Sequence, residues 1–351
     1  MSSVSLDRIL AFLVLAIATT GLLSLRAGAS GQTWVFIAHG LLGGALLVAV
    51  VVKLWRSVPR AAAGRHWRRL ALGLFVGVVA LAATGIGFAA VGVGELLVVG
   101  PWTLISWHAA IGLLLVPLVL AHLLPRRWRL LRPRGLTASW PRGGSPSRSG
   151  LPRHGRSTQR VSRRTVLAAG ALGLMSLALW GGANLLDTAR GGVRRFTGSR
   201  WLTRGGIPPA TTFFGEGADP IDPRAWRLTV GGRVARPLTY GLAELAALGE
   251  RDDEVVLDCT SGWAMQTTWS GVPLGAVLDA AQPLAGAQRV DVRSVTGWGA
   301  ALSLDDARQC LLATRVAGEA LPHGNGAPCR LVVPDRRGLD WVKWVVEVTV
   351  V

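Results

Sequence analysis

Cys259 ends the apolar run Val255-Val256-Leu257 (Asp258 intervening) and stands just before a Thr260-Ser261-Gly262 turn. A thiol at a strand end beside a turn is either a small buried apolar group or a thiolate that binds a metal or attacks an electrophile. The other two cysteines, Cys310 and Cys329, show no metal-ligand spacing with it or with each other. Cys310 falls in a helical pattern, Leu304 to Thr314, and Cys329 in a strand; they are read as buried small residues, with a disulfide between them as the alternative. A second chemistry comes from histidine. His39, His108 and His122 fall inside long apolar runs, where an ionisable ring is costly and usually functional. His39 and His108 each lie a few residues inside one end of their runs, so antiparallel helices place them at the same depth. Two neutral imidazoles so placed suit axial ligation of one b-type haem. His122 follows His108 by 14 residues, about 21 Å along nearly the same face of a helix. A second haem there needs another ligand. The second run offers Lys53 at that depth, and His66 is the candidate partner, with an interfacial polar residue beside Arg65 and Trp67 as the other reading. His154, in a basic polar stretch, is read as solvated.

The elements that must hold these groups divide the chain in two. The formal net charge is +18 and the pI about 11.6. Asp187 to Val351 is neutral, whereas Met1 to Leu186 holds only Asp7 and Glu95 against 20 basic residues. The basic residues sit in loops between apolar runs rather than on one soluble face, which excludes a nucleic-acid-binding reading. The runs are Ile9–Leu25, Trp34–Leu54, Leu70–Val93, Trp102–Leu124 and Thr165–Trp180. Four of them are long enough to cross a bilayer as helices, and the fifth is shorter and rich in Gly and Ala. Lys53–Arg69 and Arg126–Arg164 are basic loops without an acid. The positive-inside rule makes them cytoplasmic, with the N-terminus inside and residues beyond about Ala183 outside. The second loop, rich in Pro, Ser and Gly, reads as a disordered linker.

The segment around Cys259 resembles the metal-ligand segment of the sulfite oxidase family of molybdopterin enzymes. There a cysteine followed by a tryptophan and a W-x-G-x-P-L turn supplies the only protein sulfur to molybdenum. The matching residues are Cys259, Trp263, Trp269, Gly271, Pro273 and Leu274. A second stretch, Leu321–Val351, is similar to the family's closing segment through Gly326, Pro328, Arg330, Pro334, Gly338, Val342, Lys343 and Trp344. A weaker match covers Phe213–Pro237. Ser261 stands where the methionine-sulfoxide reductase branch carries a glutamate. Asn325 stands where many members carry a histidine, and His323 lies two residues earlier. The C-terminal dimerisation domain of sulfite oxidases does not follow Val351.

The resemblance implies a molybdenum cofactor on Cys259, with Arg330 and Lys343 near its pterin and phosphate, and His323 and Asn325 as further hydrogen-bonding partners. Trp263 and Trp269 would pack around the site. Arg293, in the strand-like run Val290–Val295, is read as a structural ion pair, with contact to an oxyanion substrate as the alternative. The four N-terminal helices resemble cytochrome b561-like bundles that exchange electrons with quinones. Val161–Leu174, with Arg163 and Arg164 before a weakly apolar stretch, resembles a twin-arginine export signal. The expected architecture is a membrane all-α bundle of four helices (1–125), a basic cytoplasmic linker (126–164), a fifth anchoring helix (165–183) and an α+β sulfite-oxidase-type domain (196–351). The expected activity is two-electron oxygen-atom transfer on a small oxyanion or sulfoxide, coupled through haem b to a quinone or another carrier. The alternatives are a fused methionine-sulfoxide reductase fed by quinol, or a membrane haem protein whose outer domain has lost its cofactor.

Overall fold

Runs of Leu, Val, Ala and Ile satisfy their backbone groups internally, and the N-terminal half folds into long helices. The computed structural model describes residues 3–62, 67–123, 163–211 and 216–351. The long helices are α1 (Ser3–Ser24), α2 (Thr33–Ala62), α3 (Trp67–Gly92), α4 (Leu104–Leu123) and α5 (Arg163–Ala189). All five are long and apolar enough to cross a membrane. α5 is longer than its apolar run suggests, because helix-compatible polar residues extend it at both ends. Arg163 and Arg164 open it, and Ala183–Ala189 prolong it. A short hairpin, β1 (Val98–Val99) and β2 (Trp102–Thr103), joins α3 to α4. His66, His154 and the linker up to residue 162 lie outside the described residues.

The chain forms two compact units that do not follow its order. The first gathers Met1–Ala18, Gly40–Gly85 and Ala110–Gly182. Its core is Leu6, Leu13, Leu46, Val50, Val76 and Leu115. Lys53, alone in an apolar stretch of α2, is neutralised by Asp7 of α1. The second unit gathers Thr19–His39, Ile86–Ala109 and Ala183–Val351. It therefore holds one end of each of the five long helices together with all the remaining sheet structure.

That sheet structure is two mixed sheets, counted among the described residues. The first contains β3 (Arg200–Trp201), β6 (Arg251–Cys259), β7 (Trp263–Pro273), β10 (Leu311–Val316), β11 (Glu319–Ala320) and β12 (Arg330–Val332). The second runs in the order β5 (Leu238–Tyr240), β4 (Leu228–Gly232), β13 (Val345–Val350), β8 (Arg289–Ser294) and β9 (Gly299–Ser303). Small helices α6 (Leu242–Ala246), α7 (Leu274–Ala281) and α8 (Leu304–Arg308) cover them. Alternation is clean on β8, where Val290, Val292 and Ser294 are buried and Arg289 and Arg293 face out.

The W-x-G-x-P-L segment, expected as a turn, is instead the end of β7 running straight into α7, because Trp269 to Pro273 pair with β10. Trp269 is fully buried, and a Cβ on Gly271 would run into the Leu312 carbonyl of β10. Pro273 caps α7, whose first residue, Leu274, enters the core. The helix expected over Leu304–Thr314 is corrected. α8 ends at Arg308 and Leu311 begins a strand, because the run Leu311-Leu312-Ala313 pairs with β7 on one edge and β12 on the other. Cys310 lies between the two elements and Cys329 just before β12. Both are free and fully buried, which excludes the disulfide. Burial raises the Cys310 thiol to about 12 and raises Cys329 as well.

Candidate active site

Cys259 is the last residue of β6 and pairs directly with Trp263, the first of β7. The turn between them closes with Gly262 N–H donating to the Cys259 carbonyl at 3.0 Å. Gly262 has φ +91°, the left-handed conformation that a three-residue hairpin needs and that side chains resist. The sulfur is largely shielded by protein. The Thr211 hydroxyl lies 3.1 Å from Sγ, and the Ser261 N–H donates to it at 3.4 Å.

Sγ opens into a cleft of about 610 Å³, measured with its open mouth. Thr211, Glu216, Trp298, Arg330 and Lys343 share its wall with Cys259. Arg330 opens β12 and is buried between the indoles of Trp269 and Trp341, with its guanidinium 5.3 and 5.6 Å from the ring centres. One Nη donates to the Asn325 carbonyl at 2.9 Å, while Nε has no partner among the described residues. Lys343 donates to the carbonyls of Thr211 and Gly324, at 2.7 and 2.6 Å. Gly326, at φ +109°, lets this turn lie against Lys343, since a Cβ there would sit 2.9 Å from the Lys343 Cβ.

Two cations buried side by side disfavour their own charge. Desolvation lowers Arg330 to about 10, with Cys259 and Glu216 opposing. Desolvation, then the Arg330 charge, lowers Lys343 to about 8, again opposed by Cys259 and Glu216. Neither forms an ion pair among the described residues. The indole N–H groups of Trp263 and Trp269 are also buried without a partner there. A donor-rich, cationic pocket with one cysteine in its wall fits an anionic ligand that carries a soft metal.

The structure thus brings Cys259, Arg330 and Lys343 together. His323 and Asn325 are held outside the cleft wall. His323 Nε2 lies 2.8 Å from the Ala218 carbonyl, and Asn325 Nδ2 donates to the Pro208 carbonyl at 2.9 Å. These two side chains brace the segments on either side of Thr211 and Glu216. Arg293 is exposed on β8, away from the cleft, and has no ion pair among the described residues; the structural ion pair expected for it is not formed.

Nothing in the sequence singled out the residues behind Cys259. Asp258 is completely buried and accepts from Arg195, Thr197, Ser199 and Arg337, at 2.6 to 3.1 Å. Arg337 also donates to the Cys259 carbonyl at 2.9 Å and to the Ser24 carbonyl at 3.1 Å. An acidic residue on the inward face of a strand beside Cys259 was the available signal. Its partners lie tens of residues away in both directions.

The second unit also contains His39 and His108. Their ring centres are 5.8 Å apart, with planes at 88°. The Thr20 hydroxyl of α1 lies 3.0 Å from His39 Nδ1. Glycines face both rings: a Cβ on Gly21 would sit 3.3 Å from His39 Cε1, and one on Gly87 2.9 Å from His108 Nδ1. In the first unit His122 faces Gly73 in the same way, at 3.0 Å from its Cε1.

Residues 216–351 match the family model of the oxidoreductase molybdopterin binding domain. The chain is 33% identical over 163 residues to a protein-methionine-sulfoxide reductase catalytic subunit MsrP of Xanthomonas axonopodis pv. citri, covering 39% of this chain and 51% of that one. It is 32% identical over 149 residues to the MsrP of Burkholderia mallei, covering 37% and 45%. The chain spans about half the length of these curated relatives. Among solved structures it is similar to the sulfane dehydrogenase SoxCD of Paracoccus pantotrophus, at 24% identity and a TM-score of 0.37, over 38% of this chain and 40% of that one. The C-terminal part of the chain is thus a molybdopterin-binding oxidoreductase domain, preceded by apolar helices compatible with a membrane anchor.

Proposed function

We propose that the protein is a membrane-anchored molybdenum-dependent oxidoreductase that reduces a sulfoxide, with electrons drawn from quinol through a haem b. The observation that carries it is the convergence of Cys259 with two buried, unpaired cations, Arg330 and Lys343, in one cleft of a molybdopterin-binding domain. Cys259 would hold the metal, and Arg330 and Lys343 the anionic pterin and its phosphate. Bound there, the molybdenum cofactor supplies two-electron oxygen-atom transfer. The chain itself shields the sulfur, through Thr211 and the Ser261 N–H, and shapes the mouth with Trp298 and Glu216. Glu216, which accepts from the Thr296 hydroxyl at 2.6 Å, puts a carboxyl group into the wall that Ser261 also lines. A carboxyl from another segment thus stands in the cleft where Ser261 brings none. The names of the relatives favour sulfoxide reduction over sulfite-like oxidation.

The haem rests on His39 and His108. Their ring centres lie 5.8 Å apart, close enough for both imidazoles to hold one metal ion. The Thr20 hydroxyl at His39 Nδ1 would fix the orientation of that ring toward a bound metal. Gly21 and Gly87 let each ring lie close against a neighbouring helix backbone. His122 is the ligand available for a second haem, with His66 as its proposed partner. The basic loops support a cytoplasmic N-terminus and an outer cofactor domain, and Arg163 and Arg164 support export by the twin-arginine machinery.

Purified full-length protein should contain molybdenum and a low-spin haem, and should reduce methionine sulfoxide with a reduced-quinone donor. Cys259→Ser should lose turnover and the metal–thiolate absorption but keep the haem. His39→Ala should lose the haem and keep molybdenum. Protein free of molybdenum from cells that make the cofactor would overturn the reading.

A further inference from the structure

The turn behind Cys259 and the first turn of α4 meet in the second unit. Thr103 precedes α4, and its hydroxyl accepts from the Ser106 N–H at 3.2 Å, which makes it the helix cap. The same hydroxyl donates to the Ser261 carbonyl at 2.6 Å. The Ser261 N–H in turn donates to Cys259 Sγ. Along α4, the helical ladder joins the His108 N–H to the Leu104 carbonyl, one residue after Thr103. Ten covalent bonds between heavy atoms and three hydrogen bonds therefore separate the Cys259 sulfur from the His108 backbone N–H. The contact is tight: a Cβ on Gly262 would lie 2.8 Å from the Ile105 side chain. Arg337 adds a clamp, tying the Cys259 carbonyl to the Ser24 carbonyl at the end of α1.

We propose that the Thr260–Ser261–Gly262 turn docked on Thr103 is the electron port of this protein, joining the Cys259 thiolate to the His108 imidazole. The inference rests on the functional reading above. Reduction of one sulfoxide takes two electrons and two protons and yields a sulfide and water. A hydroquinone becomes a quinone as it supplies both electrons. A haem passes one at a time, so the Thr103–Ser261 bridge is crossed twice per turnover. Thr103 is a positioning residue in this scheme. It touches neither cofactor but fixes the distance and the hydrogen-bonded path between their ligands.

The test uses the full chain with four residues at position 103. Full-length protein is reduced with dithionite, mixed with methionine sulfoxide, and haem oxidation is followed by its visible band. Thr103→Val should slow that oxidation several-fold, with haem spectrum and molybdenum content unchanged. Thr103→Ser, which keeps the hydroxyl, should restore the parental rate. Thr103→Asp keeps a helix cap but offers the Ser261 carbonyl no donor, and should be as slow as Thr103→Val. A second readout needs no cofactor: loss of a hydrogen bond worth about 1 kcal/mol should speed amide exchange in the 260–262 turn about fivefold in Thr103→Val. Parental haem oxidation in Thr103→Val, recovery in Thr103→Asp, or unaltered turn exchange would each overturn the port. A parent protein that carries both cofactors, but whose reduced haem ignores the sulfoxide, would instead overturn the functional reading beneath it.

Discussion

Cys259 gains its meaning from two cations beside it. Arg330 and Lys343 carry charge into a wall where neither has an ion pair among the described residues, and burial pushes each toward its neutral form. For Lys343 the sign can be worked out. Its ordinary value is 10.5 and its folded value about 8, so between these the unfolded chain binds more protons and stability rises with pH. The destabilisation is therefore full below pH 8 and relieved as pH climbs toward 10.5. Cofactor-free protein should gain thermal stability over that window relative to Lys343→Met. Cofactor-loaded protein should not, because a bound anion favours the ammonium. Equal pH profiles for the parent and Lys343→Met without cofactor would show that Lys343 keeps an ordinary pKa. Both cations and the cysteine were legible in the sequence through the segments they share with the sulfite oxidase family. Thr211 and Glu216 were not, since they reach the cleft from an irregular stretch with no periodicity to read.

At the scale of elements, the β6–β7 hairpin sets the position of Cys259, and Asp258 anchors the hairpin. One buried carboxylate takes two guanidinium groups and two hydroxyls, drawn from residues 195–199 and from the turn before Gly338. Its removal leaves Arg337 and Arg195 without their counter-charge. Asp258→Ala should cost about 3–5 kcal/mol, the usual loss when one member of a buried pair is deleted. Thermal unfolding followed by tryptophan fluorescence would measure it. A loss below about 1 kcal/mol, the scale of an exposed ion pair, would mean that water or a neighbour replaces the carboxylate. The sequence showed the end of β6 as an apolar strand-like run before a turn, and α1 to α5 as apolar runs, but β7 was not read as a strand. It misread Leu304–Thr314 as one helix, because a short apolar stretch does not distinguish strand from helix until its edges find partners.

For the whole molecule, the charge division argues for separate routes into the membrane and across it. Helices α1 to α4 can insert as an unfolded chain. Under the proposed function, a domain that closed around a pterin, a metal and Cys259 would have to be loaded before crossing. Replacing Arg163 and Arg164 with lysine keeps the positive charge, and so keeps the topology signal. It should nevertheless strand residues 187–351 in the cytoplasm, as protease access from the outer face would report. Parental export in the double-lysine variant would reduce the pair to a topology flank. Both residues open α5 and are exposed, so the substitution should not disturb packing within that helix.

The sequence by itself determined what depends on local chemistry: five apolar helices, a neutral C-terminal half, a lone cysteine before a glycine turn, and histidines in apolar surroundings. Hydrophobic periodicity and turn residues act over a few positions, so they survive in a linear reading. Only the tertiary structure decided which groups meet. It placed Asp258 among Arg195, Thr197, Ser199 and Arg337. It set Thr103 on Ser261, His323 on the Ala218 carbonyl and Asn325 on the Pro208 carbonyl. Those pairings join residues tens to hundreds of positions apart, and they are fixed by burial and by the need of buried polar groups for partners, which no local pattern records.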